Sequence, residues 1–346
     1  MRKLIILLII VCFCTTTVSA MEFTAPPIPE SAEDYMPQES ESFGKDLWYI
    51  IKSAISLLQP SIAEAAGVCV SIIAINLLVS MLKSFSGITG RTVDLVGTLS
   101  VGVLLLQPSN ALIQLGVETI RQLSEYGKLL LPVMTAAMAA EGATATSAAL
   151  YTGTALFNSF LTSLISKLIT PIIYIHIALC IAVAATGEDL LKNLRDFSKW
   201  LMTWCLKVTI YLFTGYMGIT GVVSGTTDAA ALKAAKLAMS GFVPVVGSII
   251  SDASEAVLVG AGVMKNAAGV YGLLAILAVW ISPFLKIGVQ YILLKITASV
   301  CSIIGSKSTV GLVNDYTGVM GLLLAMTGAV CLLLLISTVC FLKGVS

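Results

Sequence analysis

The side chains best placed to do chemistry in this chain are charged groups set in apolar sequence. Between Ala230 and Gly272 the residues read AALKAAKLAMSGFVPVVGSIISDASEAVLVGAGVMKNAAGVYG. A short basic amphipathic helix carrying Lys233 and Lys236 leads into an apolar run that breaks at Pro244 and passes Gly247. Asp252 and Glu255 follow at i and i+3, on one helix face, and Lys265 and Asn266 lie about three helical turns further on. Flanks this hydrophobic belong in a bilayer, where a polar, Pro/Gly-interrupted segment survives only if buried in protein or lining water. The polar centre is therefore a gating element, a polar path or a packing device. Lys233 and Lys236 read as the solvated face of a surface helix or as a phospholipid contact.

Two further ionisable groups stand in apolar surroundings. Glu141 interrupts a run otherwise uncharged from Leu129 to Ser166, and an ionised carboxylate at a bilayer centre costs about 2.5–3.5 kcal/mol on insertion scales. It must face water or a partner, or lie at a helix end near the headgroups. His176, between Ile175 and Ile177, either relays protons near neutral pH or is a hydrogen-bonded packing histidine.

Enzyme signatures are missing from the sequence. HExxH, GxSxG, GxxxxGK[ST] and a helix-opening GxGxxG do not occur. Work on a substrate would draw on a partner or a gradient. The eight cysteines are scattered without CxxC or metal-ligand spacing, and the single histidine excludes a multi-histidine metal site. No cofactor is expected.

The elements that must position these groups are membrane helices. Of 346 residues 57% are hydrophobic and only 11% charged, with a mean hydropathy of +0.97, whereas soluble domains carry about a quarter charged residues. A net charge of +1 offers no basic excess for nucleic acid.

In chain order, residues 1–20 read as a signal peptide: Arg2 and Lys3, an apolar core from Leu4 to Cys14, then Val18-Ser19-Ala20. Residues 21–52 hold seven acidic and two basic residues with four prolines, an acidic extracytoplasmic lead-in expected to be largely disordered. Residues 53–346 form the multi-span helical domain. Ala65–Leu82 is a first span, with Lys83 and Arg91 marking a cytoplasmic loop, and Leu95–Val117 a second. Glu118, Arg121, Glu125 and Lys128 then read as an amphipathic surface helix, and Leu129–Ala140, containing Pro132, is too short to cross alone. Gly142–Ser166 and Leu168–Gly187 cross separately. A second charged amphipathic segment, Glu188–Lys199, carries Trp200 and Trp204 as interfacial anchors, and Val208–Thr227 crosses again. Asn266–Leu285, Lys286–Ser306, a polar turn over Lys307–Asp315 and the span Tyr316–Leu342 complete an all-α polytopic chain of roughly six to eight transmembrane helices.

An internal repeat suggests itself. Pro132 and Pro244 are 112 residues apart, as are Pro171 and Pro283, and Arg121 and Lys233. The implied halves are about 70–181 and 182–293, in the manner of transporters whose interrupted helices meet near the midplane. Small residues from Gly260 to Gly272 allow close helix approach.

Ala235-Lys236, the run Phe242–Gly247, Asp252–Val257, and Lys265-Asn266 with Gly269 and Gly272 resemble the signature region of the stage III sporulation protein AE family of endospore-forming bacteria. More loosely, the resemblance covers almost the whole chain; the N-terminal half, including Glu141, departs from the pattern. It implies a non-enzymatic polytopic subunit of the channel-like apparatus that the mother cell builds around the forespore, required for late forespore gene expression. Its implied partners are other membrane subunits, ring-forming proteins and a cytosolic secretion-type ATPase. It carries over no catalytic residues. The alternative is an autonomous permease or ion-coupled transporter of a small solute, and genomic neighbours or solute uptake by purified protein in liposomes separates the two.

Overall fold

The computed structural model describes residues 26–37, 42–85, 90–140, 144–219, 267–304 and 306–344. Among them there is no strand. The helices are α1 (Glu30–Glu33), α2 (Phe43–Ser56), α3 (Gln59–Phe85), α4 (Gly90–Ala140), α5 (Thr144–Leu164), α6 (Thr170–Thr186), α7 (Asp189–Ile219), α8 (Ala267–Ile304) and α9 (Lys307–Gly344), with a π-helical turn, Ile165–Ile169, joining α5 to α6. The all-helical architecture follows from apolar sequence that leaves the backbone no other hydrogen-bonding partner than itself.

Several expected boundaries dissolve. The second span, the charged Glu118–Lys128 stretch and the short Pro132 segment are one continuous helix, α4, with Pro108 and Pro132 inside it. The stretch stays helical because its charges pair along one face: Arg121 donates to Glu118 and to Glu125 at 2.6–2.8 Å, the i,i+3 and i,i+4 spacings a helix favours. Gly142–Ser166 and Leu168–Gly187 do not cross side by side; α5, the π turn and α6 run end to end. Pro283 lies inside α8, which merges two expected segments, and the expected polar turn at Lys307–Asp315 is the start of α9. Residues 43–52 of the acidic lead-in are not disordered: they open α2, which buries Asp46, Ile50 and Ala54, and Tyr35 donates to Ser282 Oγ at 2.9 Å to tie this region to α8. A true break comes at Gly187, whose left-handed φ of 74° ends α6 with its N–H on Val183 O.

Five stretches among the described residues are long and apolar enough to cross a membrane: Gln59–Ser84, Thr92–Ala139, Ser147–Thr186, Gly269–Ile303 and Lys307–Leu342. The last two form the heart of the bundle. In each, 72% of the most apolar window is buried, against 28–39% for the other three.

Contacts along the helices set their direction and height. α3 runs antiparallel to α4, with Val79 against Gly97 and Lys83 paired to Asp94. The α5–α6 rod also runs antiparallel to α4: Asn158 meets Ser124, Tyr174 donates to Asn110, and Ile181 lies on Gly102. α7 returns antiparallel to that rod, from His176–Ser198 to Gly153–Tyr216. α8 descends beside α4, with Gly272 on Leu130 and Ile287 near Gly116, and α9 rises parallel to α4, from Thr98–Thr309 to Gly127–Leu334.

These registers gather many of the charges into two belts, and leave Arg195, Asp196, Lys199, Lys295 and Asp315 at heights between them. Glu118 and Arg121 on α4, Lys167 in the π turn, Trp204 and Lys207 on α7, Lys286 on α8 and the start of α3 share one height. Lys83, Asp94, Glu188, Asp189 and Lys307 share another. Along α4, Asp94 and Glu118 are ~36 Å apart at the 1.5 Å rise of a helix.

Candidate functional site

Between the two belts, α6, α7 and α9 meet at a polar site. Arg195 on α7 donates from Nη1 to Asp315 Oδ2 on α9 at 2.9 Å, and from Nε to Asp196 Oδ1 at 2.9 Å. The Arg195 and Asp315 side chains are each 21% exposed, so this is a shielded pair, whereas Asp196 is 65% exposed. Near the lower belt, Lys192 donates to Asp189 Oδ1 at 2.8 Å.

A second link fixes α6 to α7. Ser198 Oγ donates to its own helix at Arg195 O, 2.6 Å away, and lies 2.7 Å from His176 Nδ1. Serine has one hydroxyl proton; with it on the carbonyl, Nδ1 is the donor to Ser198, a tautomer assigned from the hydrogen-bond network. Nε2 then carries the lone pair of the neutral ring. Cys180, one turn along α6 from His176, is buried. The neighbouring Tyr316 hydroxyl is buried without a hydrogen-bond partner among the described residues.

Above this site the helices are joined by neutral polar contacts. Thr154 donates to Ser337 at 2.9 Å, Asn158 reaches Ser124 at 3.3 Å, and Tyr216 donates to Ala149 O at 2.7 Å over Gly153. Phe157 packs edge-on to Phe213 at 5.5 Å and tilted against Tyr216 at 5.9 Å.

Chemically, the site can hold and exchange protons or clamp three helices. Among the described residues no group of three His, Cys, Asp or Glu could hold a metal ion.

Of the residues singled out in the sequence, Glu141, Lys236, Pro244, Gly247, Asp252, Glu255, Lys265 and Asn266 all lie outside the described residues. His176 is a hydrogen-bonded, buried histidine. Sequence reading set Arg195 on a surface helix and Asp315 in a turn, and so missed their pairing. One signal was there to find: Asp315 is the sole acid in the long apolar stretch from Lys307 to the C-terminal residues, and a lone acid at such a place calls for a partner.

Comparison with known proteins adds a family. The stage III sporulation protein AE profile matches residues 31–343. The chain belongs to the stage III sporulation protein AE family. A curated relative, "Stage III sporulation protein AE" of Bacillus subtilis (strain 168), is 24% identical over 204 residues, which cover 59% of this chain and 51% of that protein. The chain thus spans about half the length of the curated relative it matches. No solved structure matches. Family membership supports a role in sporulation.

Proposed function

We propose that the chain is a non-enzymatic, multi-pass membrane subunit of the channel-like, secretion-type complex that joins mother cell and forespore. In that complex it works beside ring-forming membrane proteins and a cytosolic secretion-type ATPase. The observation carrying this reading is the shielded Arg195–Asp315 pair between α7 and the apolar α9, with Asp196 exposed beside it. Charge at such depth is expensive and marks a pathway or a protein neighbour. On this reading the mature N-terminus lies outside the cytoplasm, in the membrane that surrounds the forespore.

The test is co-purification from sporulating cells. Tagged wild type should bring down the ring proteins and the ATPase, and Asp196→Lys should reduce that recovery while the protein stays monodisperse and membrane-inserted. Full recovery of partners and normal spore counts from Asp196→Lys would remove this flank from the reading. Asp252→Ala with Glu255→Ala tests the other polar stretch in the same way. The exposed carboxylate also suits an ion-coupled permease, the second reading; ion-driven solute uptake by the purified chain alone in liposomes would favour it.

A further inference from the structure

The helices are too long for the membrane they are built to cross. At 1.5 Å per residue α8 and α9 measure ~57 Å, the α5–α6 rod ~64 Å and α4 ~76 Å, while the hydrocarbon core is about 30 Å and the whole bilayer about 40–45 Å. Tilt does not absorb the difference, since a 40° lean still leaves α4 ~58 Å tall, and 40° is the upper end of observed tilts. Apolar sequence continues past both sides of the Glu118 belt, so the bundle is two apolar collars in series.

The lower collar matches a bilayer on three counts. Its bounding belts are ~36 Å apart, a hydrocarbon core with the inner edge of the headgroups. The upper of those belts combines Arg121, Lys167, Lys207 and Lys286 with Trp204, the cation and indole chemistry that suits phosphate and the interface. Many of its outward side chains are aliphatic, Val70, Leu78, Val103, Ile175 and Ile296 among them. α3, the least buried apolar helix, begins at the Glu118 belt and runs only through this collar. Of the charges within it, Lys192 pairs with Asp189 and Arg195 with both Asp196 and Asp315, whereas Lys199 on α7 and Lys295 on α8 are exposed between the belts. On the other side of the Glu118 belt, α8 carries Tyr35 against Ser282 and packs against the charged, amphipathic α2.

We infer that the bilayer covers only the lower collar, with phospholipid headgroups at the Glu118 and Asp94 belts, and that the upper half of the bundle stands outside the membrane. This rests on the reading of the chain as a membrane protein. It makes Leu129 and Leu156, both exposed, surfaces that meet no lipid.

Spin-label accessibility in nanodiscs tests it. Val103→Cys and Ile175→Cys probe the lower collar, and Leu129→Cys and Leu156→Cys the upper. All four positions are exposed, so the variants should fold, and wild type taken through the same labelling supplies the blank. The lower pair should collide with oxygen far more than with a water-soluble nickel chelate. The upper pair should show the reverse, which places them outside lipid. Lipid-like values at Leu129 and Leu156 equal to those at Val103 and Ile175 would overturn the immersion depth, and so would an exchange of the two patterns. Water-like values at all four would overturn the membrane reading itself.

Discussion

The α8–α9 pair and α3 make an instructive contrast. Their most apolar windows have mean hydropathies of 2.0, 2.7 and 2.3, yet 72% of the first two is buried and only 28% of the third. Hydrophobicity alone does not sort inside from outside where the surroundings are as apolar as the protein. The difference lies in what the small and polar residues do. Around α8 and α9, glycines admit a neighbour: a Cβ at Gly269 would lie 2.2 Å from Leu342 Cδ2, and at Gly272 2.8 Å from Leu130 Cδ1. Two hydroxyl contacts there reach across to other elements, Thr154 to Ser337 and Tyr35 to Ser282, while most other hydroxyls of α8 and α9 bond back to their own helix; α3 reaches α8 through Asn76 and Cys301 O. On α3, Gly67 has nothing within 4 Å, and Ser71 returns its hydroxyl to Gly67 O.

The contrast can be broken most forcefully at the charged tie to the heart. Arg195→Ala strands Asp315 in a shielded place, an expected loss of about 3–5 kcal/mol by analogy with broken buried pairs. Detergent or urea unfolding should show it, with partial recovery when Asp315→Asn is added. Next comes Gly153→Ala, whose new methyl would sit 2.0 Å from the Tyr216 ring; overpacking of this kind costs about 1–3 kcal/mol. Adding Tyr216→Leu should relieve the clash, and thermal melts of the single and double variants would sink the idea if the single change is silent. Thr154→Val removes one cross-helix hydrogen bond and should cost about 0.6 kcal/mol, the average for such bonds in membrane proteins. Smallest of all, Ser71→Ala and Gly67→Ala on α3 should stay within about 0.5 kcal/mol of wild type or gain slightly from helix propensity. A melt lowered as far by either as by Arg195→Ala, which strands a carboxylate on α9, would erase the distinction between heart and rim.

Much of this fold was legible in advance because its signal is compositional. Uncharged runs such as Ala65–Leu82 and Leu95–Val117 are helical and bundled, as their length and hydropathy require. What local sequence could not convey was how the runs join. Glu118–Lys128 and Lys286 read as ends of spans, since charge usually marks the water boundary. Yet Glu118, Arg121 and Glu125 satisfy one another along a helix that simply continues. Pro132 read as an interruption for the same local reason, whereas it sits inside a helix whose neighbours hold it. The site was half legible. His176 announced itself by type, but Arg195 and Asp315 are 120 residues apart and meet only because α7 and α9 rise side by side.

The wide turn at Ile165–Ile169 acts like a gear change in a drive shaft. A π turn accommodates one surplus residue, and at 3.6 residues per turn one residue is worth about 100° of rotation. Thr154 and Asn158 upstream can therefore aim at Ser337 and Ser124 while His176 downstream aims at Ser198, an angular offset that a plain α-helix of the same sequence would not give. Excising a single residue there would leave each length of the shaft intact but swing the imidazole away from its serine. Chain length at this point is thus a mechanical setting, one that substitutions elsewhere in the rod are unable to reset.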